Sequence, residues 1–262
     1  MGCSSSSVSK DEKPETNLTI TNEEDFEAKL MNEYQTIIKL NIDIFSVSKQ
    51  IKGLNILEPN LKQQIDLLSD DDVFNPQTTE IFIEKTKLPS YQKTHIFSEN
   101  GMKNIYICSK GQLNNNLSNL FNRCYYINSI NFIKINTENV VNMNNMFCGC
   151  FSLEFVDVSN WNTISVSDMS EMFDSCYSLK TIKNIEKIKT NNCKYLNGMF
   201  NKCFSLNEID ISSWSFNNVI KVDGMFEECE NLKTIKVNKS NIDYIKIKSN
   251  ISPNTNIIEN NN

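Results

Sequence analysis

The sequence predicts a repeat solenoid of the α/β kind. Short parallel strands should form one face, with helical or 3-10 turns opposite and a small helical segment in front. Three observations predict it. First, five copies of one pattern occupy the second half of the chain. They are Leu120-Phe121…Cys124…Ile127, Met146-Phe147…Cys150…Leu153, Met172-Phe173…Cys176…Leu179, Met199-Phe200…Cys203…Leu206 and Met225-Phe226…Cys229…Leu232. Successive phenylalanines are 26, 26, 27 and 26 residues apart, and a fixed period in the twenties marks stacked repeats. Second, apolar residues within a copy fall in steps of three. Val166, Met169, Met172, Phe173, Cys176, Leu179 and Ile182 therefore share one side of a tightly wound segment. Third, a strand-like piece follows each of three cysteines: Leu153…Val156…Val158, Leu206…Ile209…Ile211 and Leu232…Ile235…Val237. Strands from successive copies should pair in parallel.

Four segments are expected: an acylated flexible arm over 1–18, a helical capping region over 19–112, the solenoid over 113–250, and a disordered Asn-rich tail over 251–262. The arm begins Met1-Gly2-Cys3-Ser4-Ser5-Ser6, the pattern for myristoylation at Gly2. One myristoyl chain binds a bilayer only marginally, so stable anchoring needs a second signal. Lys10 and Lys13 are offset by Asp11, Glu12 and Glu15, so a basic patch does not supply it. Cys3 is the expected site of a palmitoyl group. An ordinary Ser-rich start is the competing reading.

In the capping region, Thr21 followed by Glu24 has the form of a capping box. Phe26, Leu30, Ile37, Ile38, Leu40, Phe45 and Ile51 then predict a helix ended by Gly53 and Pro59. A second helix is expected over Leu61–Leu68, stopped by Ser69-Asp70-Asp71-Asp72, and Asn104–Lys110 reads as a strand. A solenoid needs its open end covered, which favours a cap. A partner-binding helix is the alternative, and the absence of a long heptad weighs against it.

Within the solenoid, Trp161 and Trp214 follow two strands at equal offset and should plug the turn leaving the sheet. The third copy has no tryptophan after Ile182 and spans 27 residues, which predicts a one-residue bulge. The string VDVSNWNTISVSDMSEMFDSCYSL, residues 156–179, resembles the BspA-like leucine-rich repeats, also described as DUF285 or Mycoplasma-type lipoprotein repeats. Residues 139–153 and 209–232 match that pattern well, and the resemblance covers about 115–237. It implies a leucine-rich-repeat solenoid, commonly on cell surfaces and often in adhesion or host contact.

Composition bounds the chemistry. The net charge of −6 gives nucleic-acid binding no support, and no apolar stretch is long enough for a transmembrane helix. No secretory signal is visible and five of the nine cysteines hold repeat-equivalent positions, so they read as mostly reduced core residues. Thiols spaced by a whole repeat lack the local pairs of a zinc site, and Cys148-Gly149-Cys150 is the one close pair. His95 is the only histidine, and no phosphate-binding glycine loop is present. No catalytic residue, metal, cofactor or small-molecule substrate is therefore expected.

The outward strand positions carry alternating charge: Glu154 and Asp157, then Lys180 and Lys183, then Glu208 and Asp210, then Lys233 and Lys236. Opposite charges on neighbouring strands stabilise a sheet. The same bands, with Phe155 as an apolar contact, could also dock a protein. The expectation is a non-enzymatic, protein-binding scaffold held by lipids on the cytoplasmic face of a membrane. The alternative is a surface adhesin. An adaptor that docks a ubiquitin-ligase core through the 21–68 helices lacks any recognisable docking motif.

Overall fold

Five coils stack through the second half of the chain, and a small mixed unit closes their N-terminal end. A computed structural model describes residues 22–44, 64–69, 73–99, 101–248 and 250–259. Gly2, Cys3, the 7–18 tether and Thr21 lie outside the described residues. Helix α1 spans Glu23–Glu33, and its cap is Asn22, whose side chain accepts from the Asp25 N–H at 2.8 Å. It is followed by β1 (Thr36–Asp43), β2 (Gln64–Asp66), β3 (Thr79–Ile83), β4 (Thr86–Lys87), β5 (Thr94–Ile96) and β6 (Met102–Ser109). The solenoid contributes β7 (Ile127–Lys134), β8 (Phe155–Asp157), β9 (Thr181–Lys183), β10 (Glu208–Asp210) and β11 (Thr234–Val237). Helix α2 (Ile242–Lys248) and β12 (Asn256–Glu259) end it.

The described part of residues 19–112 is mostly strand where helix was expected, while Phe45, Ile51, Gly53 and Pro59 lie outside the described residues. The first helix stops at Glu33, and Ile37, Ile38, Leu40 and Ile42 lie in β1. Tyr34 is already extended, with φ −118° and ψ 149°. A run rich in isoleucine suits a buried strand: Ile38, Leu40 and Ile42 face the main core, Ile37 packs under α1, and β1 is paired on both edges. It runs antiparallel to β6 (Leu40 opposite Ile105) and to β7 (Leu40 opposite Ile130). The second expected helix is replaced at its centre by β2, which pairs with β5. The strand expected at 104–110 is present as β6.

The cap is joined to the solenoid by a shared sheet rather than by docking. Seven strands run in the order β4-β3-β6-β1-β7-β8-β9, antiparallel as far as β7 and parallel beyond it. One core runs through both parts, from Ile38, Leu40 and Ile42 of β1 to Ile245 of α2. On the opposite side of β1, Phe26 and Leu30 of α1 cover Ile37, Phe82 and Tyr106.

The wall opposite the strands is not helical. Within each coil, successive turns close i to i+3, as in Asn122 N–H to Asn119 O and Cys124 N–H to Phe121 O. Every fourth residue has a left-handed backbone: Asn119 and Arg123, Asn145 and Gly149, Glu171 and Ser175, Gly198 and Lys202, Gly224 and Glu228. That reversal stops helical propagation and turns alternate N–H groups toward the next coil. Phe121, Phe147, Phe173 and Phe200 each donate to the carbonyl preceding the next phenylalanine, at 2.8–2.9 Å. Steps of three fit such turns as well as they fit a 3-10 helix, which is why the pattern misled. What forms is a repeat solenoid with backbone ladders on two walls, without the expected α/β layering.

The motif residues explain themselves in this frame. Phe121, Phe147, Phe173, Phe200 and Phe226 stack with centroids 5.0–5.8 Å apart. The cysteines line one axis. Cys150, Cys176, Cys203 and Cys229 each donate a thiol hydrogen to the phenylalanine carbonyl of the preceding coil, at 2.9–3.3 Å. Trp161 and Trp214 are buried where the chain leaves the sheet, and Trp214 Nε1 donates to Ile185 O at 3.2 Å. A further bracket escaped the sequence reading. Buried Thr163 accepts from the Lys189 N–H and donates to the Lys189 carbonyl, and Thr137 and Thr190 do the same to Asn162 and Ser215.

Two more expectations change. The third coil's extra residue is Asn184, left-handed with φ 63°, and it opens a 3-10 turn at Ile185–Lys187 instead of forming a bulge in a ladder. The strand wall stops there: β10, β11 and β12 form a separate three-stranded sheet. The tail expected to be disordered over 251–262 contains β12, which pairs in parallel with β11, Ile235 opposite Ile257. Asparagine does not prevent this, because an edge strand is held by its main chain.

Candidate interaction surface

Side chains of a strand alternate between faces, so the buried column Ile130, Val156, Ile182, Ile209 and Ile235 fixes what points outward. Flanking it on the outer face are Ser129, Phe155 and Thr181 in one column and Asn131, Asp157 and Lys183 in the next. Helix α1 packs on the same side of the sheet and bounds the face at one end. There Asn41 accepts from the Ser129 hydroxyl at 2.8 Å, which knits cap and solenoid together. Phe155 is half-buried, the one aromatic side chain in its column from β7 to β11.

The expected charge bands form in part. Lys180 Nζ lies 2.7 Å from Glu154 Oε2, and Lys183 Nζ lies 2.8 Å from Asp157 Oδ2. Burial alone would raise the Asp157 carboxyl. Hydrogen bonds from Lys183, Ser159 and Asn184 outweigh it and hold the group down at about 2. Glu208, Asp210, Lys233 and Lys236 form no ion pair among the described residues. For the first of these the register is the reason. Glu208 stands opposite Thr234, whereas Lys233 belongs to the column of Glu154, Lys180 and Asn207. Asp210 stands opposite Lys236, but its Oδ1 is engaged by the Ser212 N–H and hydroxyl, at 3.0 and 2.6 Å.

A second set of side chains borders this face and was missed from sequence. Tyr125, Phe151, Tyr177 and Phe204, each directly after a repeat cysteine, stack with centroids 4.7–4.9 Å apart. They are half-exposed, and their recurrence after cysteine was the available signal. At the first coil, Arg123, the chain's only arginine, shares a cavity of about 390 Å³ with Asp66, Asn119, Asn122 and Tyr125.

His95 lies in β5, accepts at Nδ1 from the Gln92 side-chain amide at 2.8 Å, and has its pKa lowered by burial. The cysteine thiols in the core are pushed up by desolvation, which makes poor nucleophiles of them. Among the described residues no group of three His, Cys, Asp or Glu side chains is placed to hold a metal ion. None of the described helices is long and apolar enough to cross a membrane.

No curated protein and no solved structure matches the chain. The repeated Met-Phe-x-x-Cys coils do match a family profile. It is described as "Mycoplasma protein of unknown function, DUF285", it covers residues 115–249, and because that is more than half of the sequence the chain belongs to this family.

Proposed function

We propose that the protein is a non-enzymatic scaffold that recruits a protein partner through the outer strand face. The observation that carries this reading is the outer strand face itself, where half-buried Phe155 is set beside the Glu154–Lys180 and Asp157–Lys183 ion pairs. An aromatic anchor ringed by polar groups is the usual composition of a binding hot spot. Glu208, Asp210, Lys233 and Lys236 extend the charged part of the surface and keep capacity for a partner's charges. Myristate on Gly2 and palmitate on Cys3 would hold the scaffold on the cytoplasmic face of a membrane, with residues 7–18 as tether. Confinement to a surface raises the effective concentration of whatever binds.

Fractionation tests the anchoring: Gly2→Ala and Cys3→Ser should move the protein from the membrane pellet to the soluble fraction. Retention of both variants in the pellet would sink it. Proximity labelling from the intact chain, compared with Phe155→Ala, tests recruitment, since loss of the same labelled proteins is expected. The repeat resemblance favours one second reading, an adhesin-like role outside the cell. Protease applied to intact cells separates the two, because only an exposed solenoid would be cleaved.

A further inference from the structure

Every junction between successive coils uses the same two walls, with one exception. The turn wall is continuous, through bridges from Asn116 to Asn142, Asp168, Tyr195 and Lys221. Between the third and fourth coils it is complete: Met169, Glu171, Phe173 and Ser175 donate to Tyr195, Asn197, Met199 and Asn201 at 2.8–3.0 Å. The strand wall is not complete. β9 pairs with β8 and β10 with β11, but β9 and β10 do not pair. The register of the other junctions would set Ile182 opposite Ile209. Instead a cleft of about 170 Å³ opens there, floored by Ile182, Ile185, Leu206 and Ile209. Ile182 and Ile209 are 7% and 6% exposed, whereas Val156 and Ile235 in the same column are fully buried.

The cause can be read from the chain. Val156-Asp157-Val158-Ser159-Asn160-Trp161 aligns with Ile182-Lys183-Ile185-Glu186-Lys187-Ile188 once Asn184 is set aside. Asn184 is the inserted residue, and its left-handed backbone turns the chain out of the strand plane directly after Lys183. Side-chain bonds from Ser213 to Glu186 O and from Trp214 to Ile185 O still hold the two coils together beyond the gap.

We infer that this seam divides the molecule into two cooperative units. One is the cap with the first three coils. The other is the last two coils with α2 and β12, which opens reversibly while the first stays folded. The stability of a stacked array is a sum of coil terms and nearest-neighbour junction terms, so it parts first where a junction lacks one of its two ladders. The second unit contributes Leu196, Met199, Phe200, Trp214, Phe226 and Leu232 to the continuous core, and Phe200 still stacks on Phe173 across the seam at 5.7 Å. Opening divides the outer strand face between Lys183 and Glu208.

The chain's two tryptophans fall one in each unit, Trp161 before the seam and Trp214 after it. In the full-length chain, Trp214→Phe leaves Trp161 as the reporter and Trp161→Phe leaves Trp214. The Trp214 transition should come at lower urea. Because Trp214→Phe removes the bond to Ile185, hydrogen exchange on the unaltered chain runs beside it. In sub-denaturing urea, amides of 196–237 should exchange at least about tenfold faster than those of 143–182. Deleting Asn184 restores the spacing of the other coils and should bring the two rates together. Equal exchange across the seam in the unaltered chain would overturn the inference, whether or not the deletion variant folds.

Discussion

Asp157 shows how one residue of the outer face couples to solution conditions. Its carboxyl is held at about 2, below the ordinary 3.8, chiefly because Lys183, Ser159 and Asn184 hydrogen-bond the charged form against the cost of burial. A depressed folded pKa contributes stability that is complete above the ordinary carboxylate range and is lost as pH falls from there toward about 2. Between those limits the wild-type melting temperature should fall more steeply than that of Asp157→Asn. Parallel acid profiles for the two proteins would show that the pairing with Lys183 contributes nothing. The charge alternation at Asp157 and Lys183 was legible in the sequence, because both lie one residue past a buried column. At Glu208 and Lys233 it was misread by one position. Only the ladder, with Glu208 opposite Thr234, fixes the register.

At the scale of the element, the phenylalanine stack is what a coil offers its neighbours. Phe173 is sandwiched between Phe147 and Phe200 at 5.0 and 5.7 Å, whereas Phe226 stacks on Phe200 alone, at 5.4 Å. Truncating a buried phenylalanine costs about 3–5 kcal/mol, from lost transfer energy and the cavity left behind. Phe173→Ala should therefore lie at the upper end of that range and Phe226→Ala at the lower, as read from urea midpoints. An equal loss at both sites would mean that the ring stack adds nothing beyond burial. Strand β1 teaches the opposite lesson about elements. Phe26, Leu30 and Ile37 keep helical spacing, yet the helix ends at Glu33, because β1 gains a hydrogen-bonded partner on each edge. Sequence spacing counts only local contacts, and those two partners arrive from 59 to 97 residues away.

For the whole molecule, the thiols report how completely the solenoid is closed. All eight described cysteines are unpaired, and seven of them are buried. Cys148 is the exception, half-buried, with its Sγ 3.7 Å from Asp174 Oδ2. Burial and the Asp174 charge push its pKa up to about 12, which slows it but leaves it within reach of a reagent. Peptide mapping after native maleimide treatment should find Cys148 modified first among these eight, and Cys176 and Cys203 only after unfolding. Modification of all three at one rate would mean that the coils are not stably stacked. Reductant should leave the melting temperature unchanged.

The sequence by itself determined the repeat. Its period, the phenylalanine and cysteine columns, the plug positions of Trp161 and Trp214, and the inward Val and Ile column all follow from residues a coil apart meeting the same environment. The tertiary structure alone decided three things. It decided that the turn wall is a ladder of left-handed kinks, since a spacing of three does not record the sign of φ. It decided that the cap joins the solenoid through a shared sheet, since pairing of β1 with β7 depends on strands far apart in the chain. And it decided that Asn184 parts the strand wall, since one inserted residue can be absorbed as a bulge or as a break. Only the competition between β9 and the adjoining 3-10 turn for the same backbone settles which.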